Sequence, residues 1–517
     1  MKKKHTLLLT LICLLFLCGC DDATITPEKT PDSTAVTTIQ LSDHTILVNG
    51  EDISSDTTSA VYQANDIVFY LEGQDFTYGE GTEEESHSQA DADKNTVIHI
   101  TKPGTYSVNG KLSAGQIAID LGKEAKKDPD AVVNLILDNA DITCQVAPGI
   151  IFYNVYECGD KDEENATYDV DTTSAGANLI LADDSTNIVN GSHVAKIFES
   201  VTLNDDKTEI LDSKKLHKYD GAVYSKMTMN VYGEEKGNGT LTINADNEGL
   251  DTEMHLSIWN GNITINSGND GINTNEDGIS VTTIHDGNLT INVTGTTGEG
   301  DGIDSNGWLV INGGTVNAFA CGESMDSGID SDMGIYLNGG TVLASGNMLD
   351  RIANEDITYS VFSFIKKVPA NTTFTLKDES GNVVTEVTSV NEFSNLIITR
   401  PELLPGTYTL WIGNTQYACV KDSGNGNGGF FLPGDKKLPP EIPQNGDFSD
   451  VMPPEGETPG KLPFDKDSLG EMHERDDFNL ERPEPEDFPM RNIEVATAPE
   501  FEITKGANYF SYIEAIN

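Results

Sequence analysis

From Val97 onward, apolar and polar residues alternate in short runs that Gly, Asn and Asp interrupt. "VIHITKPGTYSVNGKLSAGQIAID" (97–120) and "AVVNLILDNADITC" (131–144) show it well. Alternation with period two marks strands with one buried face, and the interrupting residues are turn formers. No stretch carries the 3.6-residue period of a long amphipathic helix, so an all-β chain is expected.

Within this pattern a motif recurs: "NEGLDT" (247–252), "NDGINT" (269–274), "GDGIDS" (300–305) and "DSGIDS" (326–331). Its glycines, Gly249, Gly271, Gly302 and Gly328, are 22, 31 and 26 residues apart. Two further pieces recur around it. One is "TLTINAD", "NITINSG", "NLTINVT", "GTVNAFA" and "GTVLASG"; the other is "HLSIWNG", "WLVINGG" and "IYLNGGT". A fixed motif at uneven periods predicts a parallel β-helix, a solenoid whose coils tolerate loops of different length and bury a core only when stacked.

Read as a strand, the motif turns Leu250, Ile272, Ile303 and Ile329 inward as an aliphatic ladder, with the glycine supplying the tight corner before it. Outward columns follow, with a spacing of about 4.8 Å between coils. One holds Glu248, Asp270, Asp301 and Ser327; another Asp251, Asn273, Asp304 and Asp330; a third Glu253, Asn275, Asn306 and Asp332. Asn260, Asn312 and Asn338 adjoin glycines at coil corners and read as an asparagine turn ladder.

Stacked carboxylates repel one another unless protonated, paired with bases or bridged by cations. Lys236 is the one Lys or Arg between Gly233 and Arg351, which leaves cations. Ca²⁺ takes six to eight oxygens from Asp, Asn, carbonyls and water, and these columns offer them. Glu248, Asp251, Asp270, Asn273, Asp301, Asp304, Asp330 and Asp332 are therefore the candidate ligands, with calcium as the cofactor. The bland alternative is that turn chemistry alone selected Asp and Asn.

These residues resemble a known family. Residues 97–354, above all "GDGIDSNGWLVINGGTV", are similar to the carbohydrate-binding domain of exported bacterial lipoproteins. The resemblance implies a right-handed parallel β-helix with calcium between coils, akin to family-9 pectate lyases, and cellulose-like or polygalacturonate polymers as ligands. Relatives carry Lys in the motif coils. Here only "GAVYSKMTMNVYG" keeps one, Lys226, which aligns with Glu253, and this shifts weight toward calcium bridging.

Composition agrees. The 517 residues hold 84 acids against 32 Lys plus Arg, a net charge of −52, so no basic footprint for nucleic acid exists. Sugar stacking needs exposed aromatics. Trp308 and His255 fall in one outward column, Tyr336 lies one step away, and Trp259 shares a column with Tyr232 and Asn312. Aromatics that seal loops against the coils are the alternative. For a lyase, Lys226 is the candidate base and Arg351 the second, although Glu253 beside Lys226 predicts an ion pair that keeps it protonated.

The ends complete the plan. Lys2 to Lys4, the apolar run Leu7–Leu17 and "LCGC" predict a lipoprotein signal peptide (1–20) with Cys20 lipidated. A tether (21–38) and an N-terminal β region (39–96) precede the β-helix (97–354). A small β domain or cap (355–420) and a disordered Pro-, Gly- and acid-rich tail (421–517) follow it. Cys144 and Cys158 read as a bridge or as buried thiols. The expected function is non-catalytic, calcium-dependent polysaccharide binding at the extracellular face of the membrane, held there by the lipid alone. A pectate lyase and a structural adhesin are the alternatives, and the oligomeric state stays open.

Overall fold

The computed structural model describes residues 36–295, 300–354, 357–421 and 498–516. Among them, one four-residue helix, Gln89–Ala92, and two 3-10 turns interrupt an otherwise all-β chain. Large, mostly parallel sheets hold 25 and eight strands. A separate antiparallel hairpin pairs Val194–Leu203 with Ile210–Tyr219.

The repeated motif supplies three strands of the eight-stranded sheet. Glu248–Thr252, Ile272–Thr274 and Ile303–Ser305 run parallel, with Leu250 opposite Ile272 and Ile272 opposite Ile303. An isolated bridge adds Ile329. All four aliphatics are 0% exposed, so the inward ladder is as expected. Each such side chain contributes about 1.5–3 kcal/mol through burial. Ile303→Ala would open a void between Ile272 and Ile329 and cost about 2–5 kcal/mol.

The two flanking pieces form two further parallel ladders within the large sheet. Met229–Gly233, Leu256–Ile258, Val281–Ile284, Trp308–Ile311 and Gly334–Leu337 make one. Thr240–Ala245, Asn262–Ser267, Asn288–Val293, Thr315–Phe319 and Thr341–Gly346 make the other. Uneven intervals between motifs are absorbed in the connections, so every register stays whole.

The motif glycines act differently from the expectation. None of the four has a positive φ. A Cβ on Gly271 would lie 2.1 Å from Ile291 Cγ2 and 2.6 Å from the Gly302 carbonyl oxygen. Close approach of a neighbouring ladder, rather than a left-handed corner, is what requires glycine here.

Antiparallel strands protect both ends, which limits exposed edges. Val61–Ala64 lies against Thr96–Ile100, and Phe393–Thr399 covers Thr341–Gly346. The C-terminal strands pack a second core around Phe362, Phe374, Phe393 and Phe510. The stretch read as a tail needs correcting at its end. Glu500–Ile503 pairs with Gly406–Ile412, and Ala507–Ala515 pairs with Tyr359–Val368 and Thr415–Lys421. Alternating Phe501, Ile503, Phe510 and Ile513 supply its buried face. The signal peptide, Cys20, most of the tether and residues 422–497 lie outside the described residues. Cys144, Cys158, Cys321 and Cys419 are free thiols.

Candidate functional site

The acidic columns fall in register on the motif ladder. Asp251 stands opposite Asn273, and Asn273 opposite Asp304. They draw together into two carboxylate clusters, each with ligand atoms within 4.8 Å of one another.

The first cluster joins Asp220, Glu248 and Asp251. Glu248 and Asp251 are 6% and 0% exposed. Asn273 Nδ2 donates to Glu248 Oε1 at 3.3 Å, and Asn275 Nδ2 donates to Asp251 Oδ1. Glu248 Oε2, Asp251 Oδ2 and Asn273 Oδ1 are buried with no hydrogen-bond partner. Burial first, then the Asp251, Asp220 and Asp270 carboxylates, push the Glu248 pKa well above its usual range. Burial and the Asp220 and Glu253 charges do the same to Asp251. Lys218 reaches in from the hairpin, its Nζ 2.6 Å from Asp220 Oδ2. Burial opposes the lysine's charge, but Asp220, Glu248 and Asp251 outweigh it and raise its pKa.

Asp301, Asp304 and Asp330 form the second cluster. Asp301 Oδ1 accepts from the Ser327 N–H, and Asp270 Oδ1 accepts from the Asp301 N–H at 2.7 Å. Burial, followed by Asp350, Asp304 and Asp332, pushes the Asp330 pKa up to about 8. Burial with Asp330 and Asp270 raises Asp301 well above the usual carboxylate range. Lys236 is tied to Asp184 instead. Asp270 raises the pKa of both Glu248 and Asp301, so it links the clusters into one acidic stripe.

All eight predicted ligands lie on this stripe, and two partners went unseen in the sequence. Asp220 sits directly before Gly221, one step out of register with the column, because Gly221 pairs with Glu248. Its only sequence signal is an Asp before a glycine that opens a strand. Asp350, which accepts from the Ser331 N–H at 3.0 Å, follows no motif glycine.

The residues suit a divalent cation. Unprotonated, the first cluster sets three carboxylates against the one ammonium of Lys218 and the second gathers three more, and the partnerless oxygens of Glu248, Asp251 and Asn273 are hard, oxygen-type ligands. A bound Ca²⁺ at either cluster would be held by these carboxylates, with Asn273 in reach of the first, and would supply a positive centre for anionic oxygens.

The aromatic candidates divide. Trp308 is half-buried in the outward column that pairs Val281, Trp308 and Gly334. Tyr336 stacks on Tyr168 at 4.2 Å and so fastens the long loop before Ala177–Leu181. His255 and Trp259 are corrected as exposed sugar contacts, since they are 3% and 8% exposed. His255 packs under Gly159 of that loop, its Nδ1 accepts from the Val281 N–H, and burial lowers its pKa to about 4. Trp259 is stacked between Tyr232 and His285, 6.0 and 3.8 Å away, and donates to Asn230 Oδ1. Aromatic rings here mostly seal the loop. Of the turn asparagines, two stack, with Asn338 Nδ2 donating to Asn312 Oδ1 at 2.8 Å, whereas Asn260 falls one position out of their column and accepts from the Gly233 N–H.

Lys226 stands beside Glu253, but the expected ion pair is absent. Glu253 Oε1 instead accepts from Tyr224 OH at 2.6 Å and from Lys215 Nζ at 3.3 Å. Burial lowers the Lys226 pKa, helped by the charges of Lys126 and Lys215, while Glu253 and Asp120 oppose the shift. Arg351 is exposed.

A carbohydrate-binding domain-containing protein of Acetivibrio thermocellus is 30% identical over 166 residues, 32% of this chain and 43% of that protein. The chain thus spans less than half the length of that relative. The solved structure of a polysaccharide lyase-like protein from C. thermocellum is 20% identical, with a TM-score of 0.34 over 62% of this chain and 98% of that one. The family model for the carbohydrate-binding domain-containing protein matches residues 94–173 and 169–390, more than half of the sequence. The chain belongs to the family of carbohydrate-binding domain-containing proteins.

Proposed function

We propose that this is a non-catalytic, calcium-dependent polysaccharide-binding protein whose ligand is a polygalacturonate or cellulose-like polymer. The observation that carries the reading is the stack of Glu248, Asp251 and Asn273, each with one buried oxygen that lacks a partner. In this reading the three parallel ladders wind as a right-handed β-helix. Ca²⁺ sits at the two clusters, and its remaining coordination positions accept uronate oxygens. A protein with a net charge of −52 would otherwise repel an acidic glycan. Trp308 adds a weaker, calcium-insensitive stacking contact. Pull-down on pectate, cellulose and xylan, with Ca²⁺ or chelator, tests this; no retention on any of them would leave the adhesin reading in its place.

A pectate lyase is the second reading, favoured by the Lys226 amine, whose pKa burial lowers toward the neutral, basic form. Proton abstraction next to a uronate needs such a base and a cation that neutralises the acid. Unsaturated, ultraviolet-absorbing products from pectate would decide for it. We further infer that Cys20 carries lipid and holds the protein at the extracellular face of the membrane. Cys20→Ala should release it into the soluble exported fraction; a variant that stays in the membrane pellet would refute the anchor.

A further inference from the structure

The loop between Ile150–Asn154 and Ala177–Leu181 runs along the outward face of the ladder that carries Trp308. Both of its ends are tied at the strand Met229–Gly233. Glu157 accepts from the Thr228 N–H at 2.8 Å, and Thr172 Oγ1 donates to Asn230 Oδ1 at 2.8 Å. Between those ends the loop crosses the ladder. Gly159 packs against His255, Lys161 pairs with Glu276, and Tyr168 reaches Tyr336 on the strand Gly334–Leu337.

The two tyrosine rings stack with centroids 4.2 Å apart and planes within 20° of each other. Tyr168 thus covers the ring that the sequence offers to a sugar, and it is itself 43% exposed. Trp308 stands on the neighbouring strand, opposite Gly334, while Val310 is opposite Tyr336. Strand spacing and rise put the Trp308 and Tyr336 backbones roughly 8 Å apart on one outward face. Aromatic side chains that close together suit a polymer lying across the ladder, because each gives a sugar ring an apolar surface.

Charge selects the polymer. Asp160, Asp162, Glu163, Glu164, Asp169 and Asp171 are all exposed on this loop, and its one base, Lys161, is paired with Glu276. Ionised carboxylates only accept hydrogen bonds, which the hydroxyls of a neutral sugar donate. A uronate chain would meet like charge here.

We propose that Tyr168, carried on Tyr336 beside Trp308, is a stacking residue for a neutral, cellulose-like polysaccharide, and that the carboxylates around it turn uronates away. The inference rests on the carbohydrate-binding reading but not on calcium.

Calorimetry of cellohexaose and hexagalacturonate against the full chain, in excess chelator, tests it. Cellohexaose should bind, and hexagalacturonate should bind more weakly or not at all. Tyr168→Ala should weaken cellohexaose about two- to tenfold, the scale of one aromatic contact, and Tyr168→Phe should keep the wild-type affinity. Tyr168→Leu, which also lacks a flat ring, serves if Tyr168→Ala fails to fold. The proposal is overturned if Tyr168→Ala binds cellohexaose as well as wild type does, or if Tyr168→Phe is as weak as Tyr168→Ala. Tighter binding by Tyr168→Ala would also overturn it, by making the ring a cover over Tyr336, as would hexagalacturonate that binds as tightly as cellohexaose. Wild type that is retained on polygalacturonate in Ca²⁺ but ignores cellohexaose overturns this inference alone. Wild type that binds no glycan under any condition overturns the polysaccharide-binding reading with it, so the two failures are distinguishable.

Discussion

Asn273 Nδ2 donates to Glu248 Oε1 across adjacent strands at 3.3 Å, yet Asn273 Oδ1 and Glu248 Oε2 have no partner. One amide thus satisfies one oxygen of a buried acid and leaves two buried acceptors without partners. Leaving such groups unpaired costs about 1–3 kcal/mol each, more when charged. A cation converts that cost into binding energy.

Calcium should therefore stabilise the folded chain. At a hundredfold excess over its dissociation constant, one bound ion adds about 2.7 kcal/mol, and the melting temperature should rise accordingly. The double variant Asp301→Asn/Asp330→Asn should lose much of this rise while melting no lower than wild type in chelator. Differential scanning calorimetry with and without Ca²⁺ checks both; a full calcium response in the variant would remove the second cluster from the account.

In chelator the same carboxylates set a pH dependence of unusual sign. Asp330 titrates near 8 in the folded chain against an ordinary value of 3.8, and Glu248, Asp251 and Asp301 are raised as well. The native state then holds protons that the unfolded chain has released, so stability falls as pH rises between those limits. Melting temperature in chelator should drop from about pH 5 to about pH 8, and Ca²⁺ should largely abolish the slope. A metal-free protein that gains stability over that range would contradict it.

Lys218 occupies at the first cluster the electrostatic place a cation would take, 2.6 Å from Asp220. Lys218→Met should destabilise the metal-free protein and strengthen calcium binding at that cluster, because a competing charge is gone. Calcium titration by calorimetry reads this. Unchanged affinity would mean that the lysine and the ion do not share the site.

Trp308 and Trp259 should respond oppositely to truncation. Trp259→Ala opens a cavity between Tyr232 and His285 and should cost about 3–5 kcal/mol of stability. Trp308→Ala should melt nearly normally but reduce the chelator-resistant retention on cellulose about two- to tenfold. Equal losses of stability would assign both rings to packing.

The repeat made the core and the acidic stripe legible. Leu250, Ile272, Ile303 and Ile329 share a motif that forces them inward, and the same register fixes Asp251, Asn273 and Asp304 outside. Residues outside the repeat were not legible. Asp220 precedes its strand, Gly221–Ser225, by one position, and Lys218 arrives on a hairpin whose "LDSKKLHKY" carries little apolar alternation. Ala507–Ala515 joins the sheet only after 422–497, so no local pattern ties it to Tyr359–Val368. Burial of His255 and Trp259 comes from a long loop laid over their column, and strand alternation carries no information about what a loop covers.

Retention of the full chain on immobilised polygalacturonate, in Ca²⁺ and in excess chelator, tests the central claim most directly. Strong retention in Ca²⁺ that falls steeply in chelator, and falls likewise for Asp301→Asn/Asp330→Asn, is the predicted result. Retention that is equal with and without calcium, or absent in both, would contradict it.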